Sequence, residues 1–190
     1  TGNFGDILAG YYAKQMGLPV GRLVCASNKN NVLTDFLRTG TYDARRTFYK
    51  TTSPSMDILI SSNLERLLYH VSGSSEKVAG WMQELSATGK YTVDAETLAK
   101  IQQSFAAGYA DDADGAAEIK ARFDGDHYLC DTHTAVAFRV AETRRTDAPM
   151  VVLSTASPFK FPRDVLTALG GEAPASDFAA MAALTAKTGA

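Results

Sequence analysis

The stretch TGNFGDILAGYYAKQMGLPVGRLVCASNKNNVLTDFLRTG, residues 1–40, decides how the rest of the chain is read. Ile7, Leu8, Tyr11 and Tyr12 recur at helical spacing, and Gly17 with Pro19 ends that helix. Residues 22–26, RLVCA, have the short apolar character of a buried strand. The asparagine-rich NKNN that follows is turn chemistry leading into a helix over 32–38, which Gly40 stops. Loop, helix, strand, helix is the order of an open, mostly parallel α/β sheet flanked by helices.

The opening glycines admit two readings. Gly2 and Gly5 bracket Asn3 and Phe4 just ahead of a helix, so backbone N–H groups can converge there and the helix dipole adds positive potential. That is anion-binding chemistry, and it is equally ordinary turn chemistry. The Lys-Ser/Thr pair of a Walker loop is missing, as is the spacing of a dinucleotide fingerprint. An anion loop of this kind normally follows a strand; here Thr1 comes first, which raises the expectation that the chain is part of something larger.

Downstream, TTSPSMDILISSNLERLLYHVSG predicts a helix capped around Pro54, with Ile58, Leu59, Leu64, Leu67, Leu68 and Val71 on its apolar face. Residues 75–85, 95–109 and 113–123 read as three further helices, interrupted by the extended 91–93. Asp94 is placed to cap the second, with Glu96 in its first turn. This gives three parts: 1–73 as α/β, 74–126 as a helical insertion, and 127–190 as a return to α/β with C-terminal helices. Within the last part, 149–155 (PMVVLST) has the β-branched pattern of a strand, and 164–169 and the alanine-rich tail to 186 read as helices.

Charge and composition exclude several classes. The chain has 190 residues, 45% of them hydrophobic, which is enough for a core, and its net charge of -2 gives no nucleic-acid surface. The Arg45–Arg46 and Arg144–Arg145 pairs are too short to change that. No apolar run approaches the ~20 residues of a membrane span. Cys25 and Cys130 form no disulfide framework, which suits a cytoplasmic protein. His127, Cys130 and His133 have metal-like spacing, with Asp131 beside them, but no second cluster completes four ligands and His70 lies in a helical stretch. No metal is expected; Cys130 reads as a small buried residue and His133 as part of a helix start. Nor is there a nucleophile-elbow motif. Ser154 and Thr155 end the 149–155 run, where an α/β sheet gathers ligands; they read either as ligand hydroxyls or as turn residues.

Taken in order, TGNFGD, NKNNVLTDFLRTGTY, SPSMDILISSNLERLL, DTHTAV and STASPFKF resemble threonine synthase, in its longer bacterial and fungal branch. The resemblance runs along essentially the whole chain. It implies a pyridoxal-5′-phosphate enzyme of tryptophan-synthase-β-like architecture (fold type II), of which this chain would be the C-terminal half, with 74–126 as an insertion of that branch. It also implies that Gly2, Asn3, Phe4 and Gly5 present N–H groups to the cofactor's 5′-phosphate, with Asp6 at the mouth of the helix, and that Thr155 sets its hydroxyl beside the pyridine nitrogen. A neutral partner there does not enforce protonation of the ring, so the electron sink is tempered.

The implied reaction converts O-phospho-L-homoserine and water to L-threonine and phosphate by β,γ-replacement. The family lysine that attaches the cofactor lies upstream of the phosphate loop, and no lysine here, Lys160 included, takes its place. The chain alone is therefore expected to be inactive, to need the N-terminal half of the same protein as its partner, and to contribute no catalytic residue or substrate contact that can be assigned. Ser157 stands where relatives commonly have histidine. The competing implications are a threonine-synthase-like phospho-lyase, which releases a keto acid, and a non-catalytic phosphate-ligand binding module.

Overall fold

The structure, a computed structural model, describes residues 2–190. Thr1, the first letter of the TGNFGD motif, lies outside the described residues. The chain divides into two compact units, the first running to Lys50 and resuming over Ser55–Tyr109, the second comprising Thr51–Pro54 and Ala110–Ala190.

The first unit is α/β. Its helices are α1 (Gly5–Gln15), α2 (Val32–Thr39), α3 (Leu64–Ser72), α4 (Ser75–Thr88) and α5 (Ala95–Ser104), and its strands are β1 (Leu23–Ser27), β2 (Thr41–Asp43), β3 (Lys90–Thr92) and β4 (Phe105–Tyr109). Strands β1 and β4 pair in parallel, Leu23 opposite Phe105 and Ser27 opposite Tyr109. Strands β2 and β3 pair antiparallel. The core gathers Phe4, Ile7 and Leu8 from the chain start, Val32, Leu33, Phe36 and Leu37 from α2, and Leu64, Leu67 and Leu68 from α3, all buried. Helix α2 shows the helical spacing of its apolar face directly, and it ends on Gly40 in the left-handed conformation, whose N–H returns to the Phe36 carbonyl at 2.7 Å. Asp94 caps α5, accepting from the Thr97 N–H at 2.9 Å.

Two expectations fail in this unit. The helix expected over 95–109 ends at Ser104, and 105–109 is β4. The sequence FAAGY is weak in strand propensity, yet the edge of β1 offers a full ladder, and Phe105 and Ala107 are buried on alternate positions. Residues 74–126 are accordingly not helical throughout. The helix expected from Pro54 is also absent as such: Pro54–Met56 is a 3-10 turn, 57–63 is irregular, and α3 begins only at Leu64. Ile60, within that irregular stretch, is 59% exposed.

The second unit is helical: α6 (Asp112–Asp126), α7 (Thr132–Glu142), α8 (Pro162–Ala168) and α9 (Asp177–Thr188). Ile119, Cys130, Ala135, Val165, Leu166 and Leu184 form its core. Helix α6 opens with a reciprocal cap between Asp111 and Asp114. The strand expected over 149–155 is not formed; the segment carries no ladder bonds and leaves Val151 77% and Leu153 51% exposed. A strand exists only with a partner, and every strand among the described residues belongs to the first unit. Among the described residues, no helix is long and apolar enough to cross a membrane.

Candidate functional site

The loop before α1 is built from two left-handed residues around Asn3. Gly2 has φ +76°, which glycine adopts freely, and Phe4 has φ +65°, which a residue with a Cβ adopts only under constraint. The constraint is visible: the Phe4 ring is fully buried, with its centroid 5.6 Å from that of Phe105 on β4. Phe4 is the cap residue of α1 and its side chain, which has no acceptor, makes no capping bond to the first-turn N–H groups. Asp6 lies in that first turn, where a carboxylate suits the dipole. Successive backbone N–H groups in such a turn, next to a helix start, form a concavity suited to an anion.

The segment after the 3-10 turn holds this loop from outside. Asn63 Nδ2 donates to the Asn3 carbonyl at 2.7 Å, and Ser61 Oγ donates to the same oxygen at 3.5 Å. Asn3 Nδ2 donates to Ser62 Oγ at 3.3 Å. Asn3 Oδ1 is buried and has no hydrogen-bond partner, the only such side-chain atom among the described residues that are not themselves exposed. An orphaned acceptor in a loop otherwise this well connected marks a place where a further group belongs. Ser61 is in turn fixed by Tyr42: its N–H donates to the Tyr42 hydroxyl at 2.8 Å, and that hydroxyl donates to the Leu59 carbonyl at 3.0 Å. Burial pushes the Tyr42 hydroxyl up to about 12, against the opposing pull of the Ser61 N–H and Arg46. It stays a neutral donor across the physiological range.

A second polar cluster sits at the carboxyl end of β1. Asn28 and Asn30, both buried, donate to Asp57 Oδ1 at 2.8 and 2.9 Å, and Asn30 exchanges bonds with the Tyr49 backbone at 2.7 and 2.9 Å. The NKNN run is thus more than a turn. It ties the end of a parallel strand to 49 and 57, at the end of the sheet where α/β proteins gather ligands.

The sequence-predicted residues Gly2, Asn3, Phe4, Gly5 and Asp6 are brought together as one loop and helix start. Thr155 belongs to the second unit, exposed in the unpaired extended segment. Close by in the chain, Ser154 Oγ lies 3.3 Å from Thr134 Oγ1. Thr134 donates to Asp131 Oδ2, and Asp131 Oδ1 accepts from the His133 N–H at 2.8 Å and faces His133 Nδ1 at 3.0 Å. Asp131, Thr132, His133 and Thr134 are all buried: DTHTAV is a capped helix start, with Asp131 as the cap of α7.

Cys130 is buried, its thiol pushed up to about 12 by burial and the Asp131 charge. His127 closes α6 in the left-handed conformation. Among the described residues no group of three or more His, Cys, Asp or Glu is arranged to hold a metal ion. Lys160 ends a 3-10 turn with its ammonium 5.5 Å from the Phe161 ring centroid, and Ser157 caps that turn, accepting from the Phe159 N–H at 3.2 Å. Sequence reasoning missed Ser61, Ser62 and Asn63, because their segment was read as continuous helix, and it gave no role to Tyr42 on β2. The signal available was the polar Ser-Ser-Asn placed immediately before an amphipathic run, which is a helix start rather than a helix interior.

The parallel β1–β4 pair, the flanking helices and the glycine loop define an α/β chain of fold type II. Over 96% of its length the chain superposes on a chain from the crystal structure of PLP-bound threonine synthase from Brucella melitensis, with a TM-score of 0.86 and 45% identity, covering 40% of that chain. It is 42% identical over 178 residues to threonine synthase of Pseudomonas aeruginosa, matching 92% of this chain and 38% of that protein. It is 40% identical over 172 residues to threonine synthase-like 1 of Homo sapiens, matching 89% of this chain and 23% of that protein. Residues 134–188 match the family model for threonine synthase, C-terminal. Over about nine-tenths of its length the chain is thus similar to part of the threonine synthases. It spans well under half the length of these relatives.

Proposed function

We propose that this chain supplies the cofactor-phosphate cradle of a pyridoxal-5′-phosphate-dependent threonine synthase, a lyase of threonine biosynthesis that converts O-phospho-L-homoserine and water to L-threonine and phosphate. One observation carries the reading: the loop 2–5 pairs left-handed Gly2 and Phe4 with a helix start whose cap residue, Phe4, makes no side-chain capping bond, and a dedicated polar segment braces it. Those residues fit a phosphate ester. The orphaned Asn3 Oδ1 adds an acceptor for a donor on the bound molecule or its hydration.

Gly2, Asn3, Phe4 and Gly5 would hold the 5′-phosphate through backbone N–H groups, with Asp6 at the helix mouth. Thr155 would offer its hydroxyl to the pyridine nitrogen. When bound, the cofactor supplies the electron sink that chemistry at Cα and Cβ of the substrate requires. A hydroxyl partner leaves the ring nitrogen without an imposed proton, which moderates that sink. The lysine that attaches the cofactor is assigned to the part of the relatives' length that this chain does not match, and the 190 residues alone are expected to be inactive.

The test uses the full-length protein with pyridoxal phosphate and O-phospho-L-homoserine, quantifying phosphate, threonine and 2-oxobutyrate together. Threonine equal to the phosphate released is the expected result. Phosphate matched by 2-oxobutyrate would replace the synthase reading with a phospho-lyase, and no phosphate would leave a binding role only.

A further inference from the structure

We infer that Asn63, held in orientation by Arg66, is a positioning residue that aims the Phe4 N–H of the anion loop. The inference rests on the proposed phosphate cradle and names the residue that keeps it in shape.

The argument begins with the Asn3–Phe4 peptide. No cis bond occurs among the described residues, so the Asn3 carbonyl and the Phe4 N–H point in opposite directions across one rigid plane. Whatever holds the carbonyl therefore sets the N–H. The carbonyl is held by Asn63 Nδ2 at 2.7 Å, with Ser61 Oγ at 3.5 Å as a weaker second contact. The Phe4 N–H must then face away from the 61–63 segment.

This plane needs holding. Phe4 sits at φ +65° while its ring is locked in the core against Phe105. Turning the peptide plane over would return φ to negative values, the ordinary region for a residue with a Cβ. The same turn would swing the Phe4 N–H out of the cradle and put a carbonyl oxygen in its place, where an anion would be repelled. The bond from Asn63 opposes that relaxation.

Asn63 is itself fixed. Arg66 Nη2 donates to Asn63 Oδ1, which leaves the amide nitrogen, rather than the oxygen, facing Asn3. Both residues belong to the start of α3, and Leu64, Leu67 and Leu68 bury that helix in the core, so the amide stands on a rigid element. The loop also comes close to it: a Cβ on Gly5 would lie 3.3 Å from Asn63 Nδ2, so this approach is open to glycine and tight for alanine.

The experiment measures dissociation constants of pyridoxal phosphate and of pyridoxal, which lacks the phosphate, for the full-length protein and for Asn63→Ala and Arg66→Ala. It adds the phosphorus resonance of bound pyridoxal phosphate and the melting temperature of each apoprotein. Asn63→Ala is expected to weaken pyridoxal phosphate about tenfold, leave pyridoxal within about twofold, and shift the phosphorus resonance. Arg66→Ala is expected to weaken pyridoxal phosphate about threefold with the same selectivity. Equal losses for both ligands, or unchanged pyridoxal phosphate binding, would overturn the inference. If Asn63→Ala does not fold, the exposed Arg66→Ala decides between these outcomes. Should the unmutated protein bind pyridoxal phosphate no more tightly than pyridoxal, the phosphate cradle itself is wrong, and that arm alone reveals it.

Discussion

Tyr42 and Tyr91 face each other directly across the β2–β3 pair, their rings stacked 5.3 Å apart and within 6° of parallel. The pair joins the core to the loop-bracing segment, because the Tyr42 hydroxyl is bonded to both the Leu59 carbonyl and the Ser61 N–H. The two rings have separable roles. Tyr42→Phe keeps the stack and removes both bonds, leaving a backbone N–H and a carbonyl to find other partners; a loss of about 1–2 kcal/mol in denaturant unfolding is expected. Tyr91→Ala removes a fully buried ring that stacks on Tyr42 and also meets Trp81, and about 3–5 kcal/mol is expected. Equal losses from the two variants would show that the ring stack is not what carries Tyr91.

The buried carboxylate of Asp131 makes a pH prediction. Burial alone would raise its pKa, but hydrogen bonds from the side chains and N–H groups of His133 and Thr134 outweigh burial and hold it below the ordinary carboxylate value. The folded pKa is thus below the unfolded one of about 4. Its stabilising contribution is complete above that value and is lost as pH falls through the folded pKa. Asp131→Asn should therefore lower stability near neutral pH and flatten its decline below about pH 4, measured by denaturant titration. Asp131→Ala, which also removes the cap of α7, is expected to cost about 2 kcal/mol or more. An acid limb as steep in Asp131→Asn as in the unmutated protein would count against this account.

Arg122 is the hub of the helical unit. Its guanidinium reaches Glu118 at 2.6 Å, Asp126 at 2.9 Å and Glu142 at 2.6 Å, linking α6 to α7, and it lies 4.9 Å from the Phe138 ring centroid. Glu118 is buried, so removing the guanidinium strands a carboxylate away from water. Arg122→Ala is expected to destabilise by about 3 kcal/mol. The double variant Arg122→Met with Glu118→Gln should recover much of that, since it deletes the charge as well as its partner. Thermal unfolding of the set measures both, and an Arg122→Ala protein as stable as the parent would place the network at the exposed-pair level of ~0–1 kcal/mol.

What was legible in the sequence was local. Ile7, Leu8, Val32, Leu33, Phe36 and Leu37 report helical faces whose periodicity needs no partner to be read, and the caps at Asp94 and Gly40 announce themselves by residue type. Two of the failures turn on partners distant in the chain. FAAGY at 105–109 becomes a strand because β1, some eighty residues earlier, offers its edge. PMVVLST at 149–155 has strand composition and no ladder to join. The glycine spacing showed the Gly2–Asp6 loop as a turn ahead of a helix and only the family motifs made it a candidate site, whereas its brace was not readable. Asn63 holds a backbone carbonyl sixty residues away, and hydrogen bonds to main-chain atoms leave no spacing pattern.

Thr155 carries the last prediction, on product partition. If its hydroxyl stands beside the pyridine nitrogen, Thr155→Asp places a carboxylate there, raises the proton occupancy of that nitrogen and strengthens the electron sink. A stronger sink stabilises charge at Cα and should favour early release of a keto acid over completion of the replacement at Cβ. In the full-length protein, Thr155→Asp is therefore expected to raise the ratio of 2-oxobutyrate to threonine by about tenfold, roughly the effect of a 1.4 kcal/mol change in relative barriers. The absorption spectrum of the bound cofactor should also acquire a pH dependence different from the parent's. Thr155→Ser, which keeps the hydroxyl, should leave the ratio unchanged. Unaltered partition in Thr155→Asp, with cofactor affinity retained, would mean that this hydroxyl does not govern the ring nitrogen.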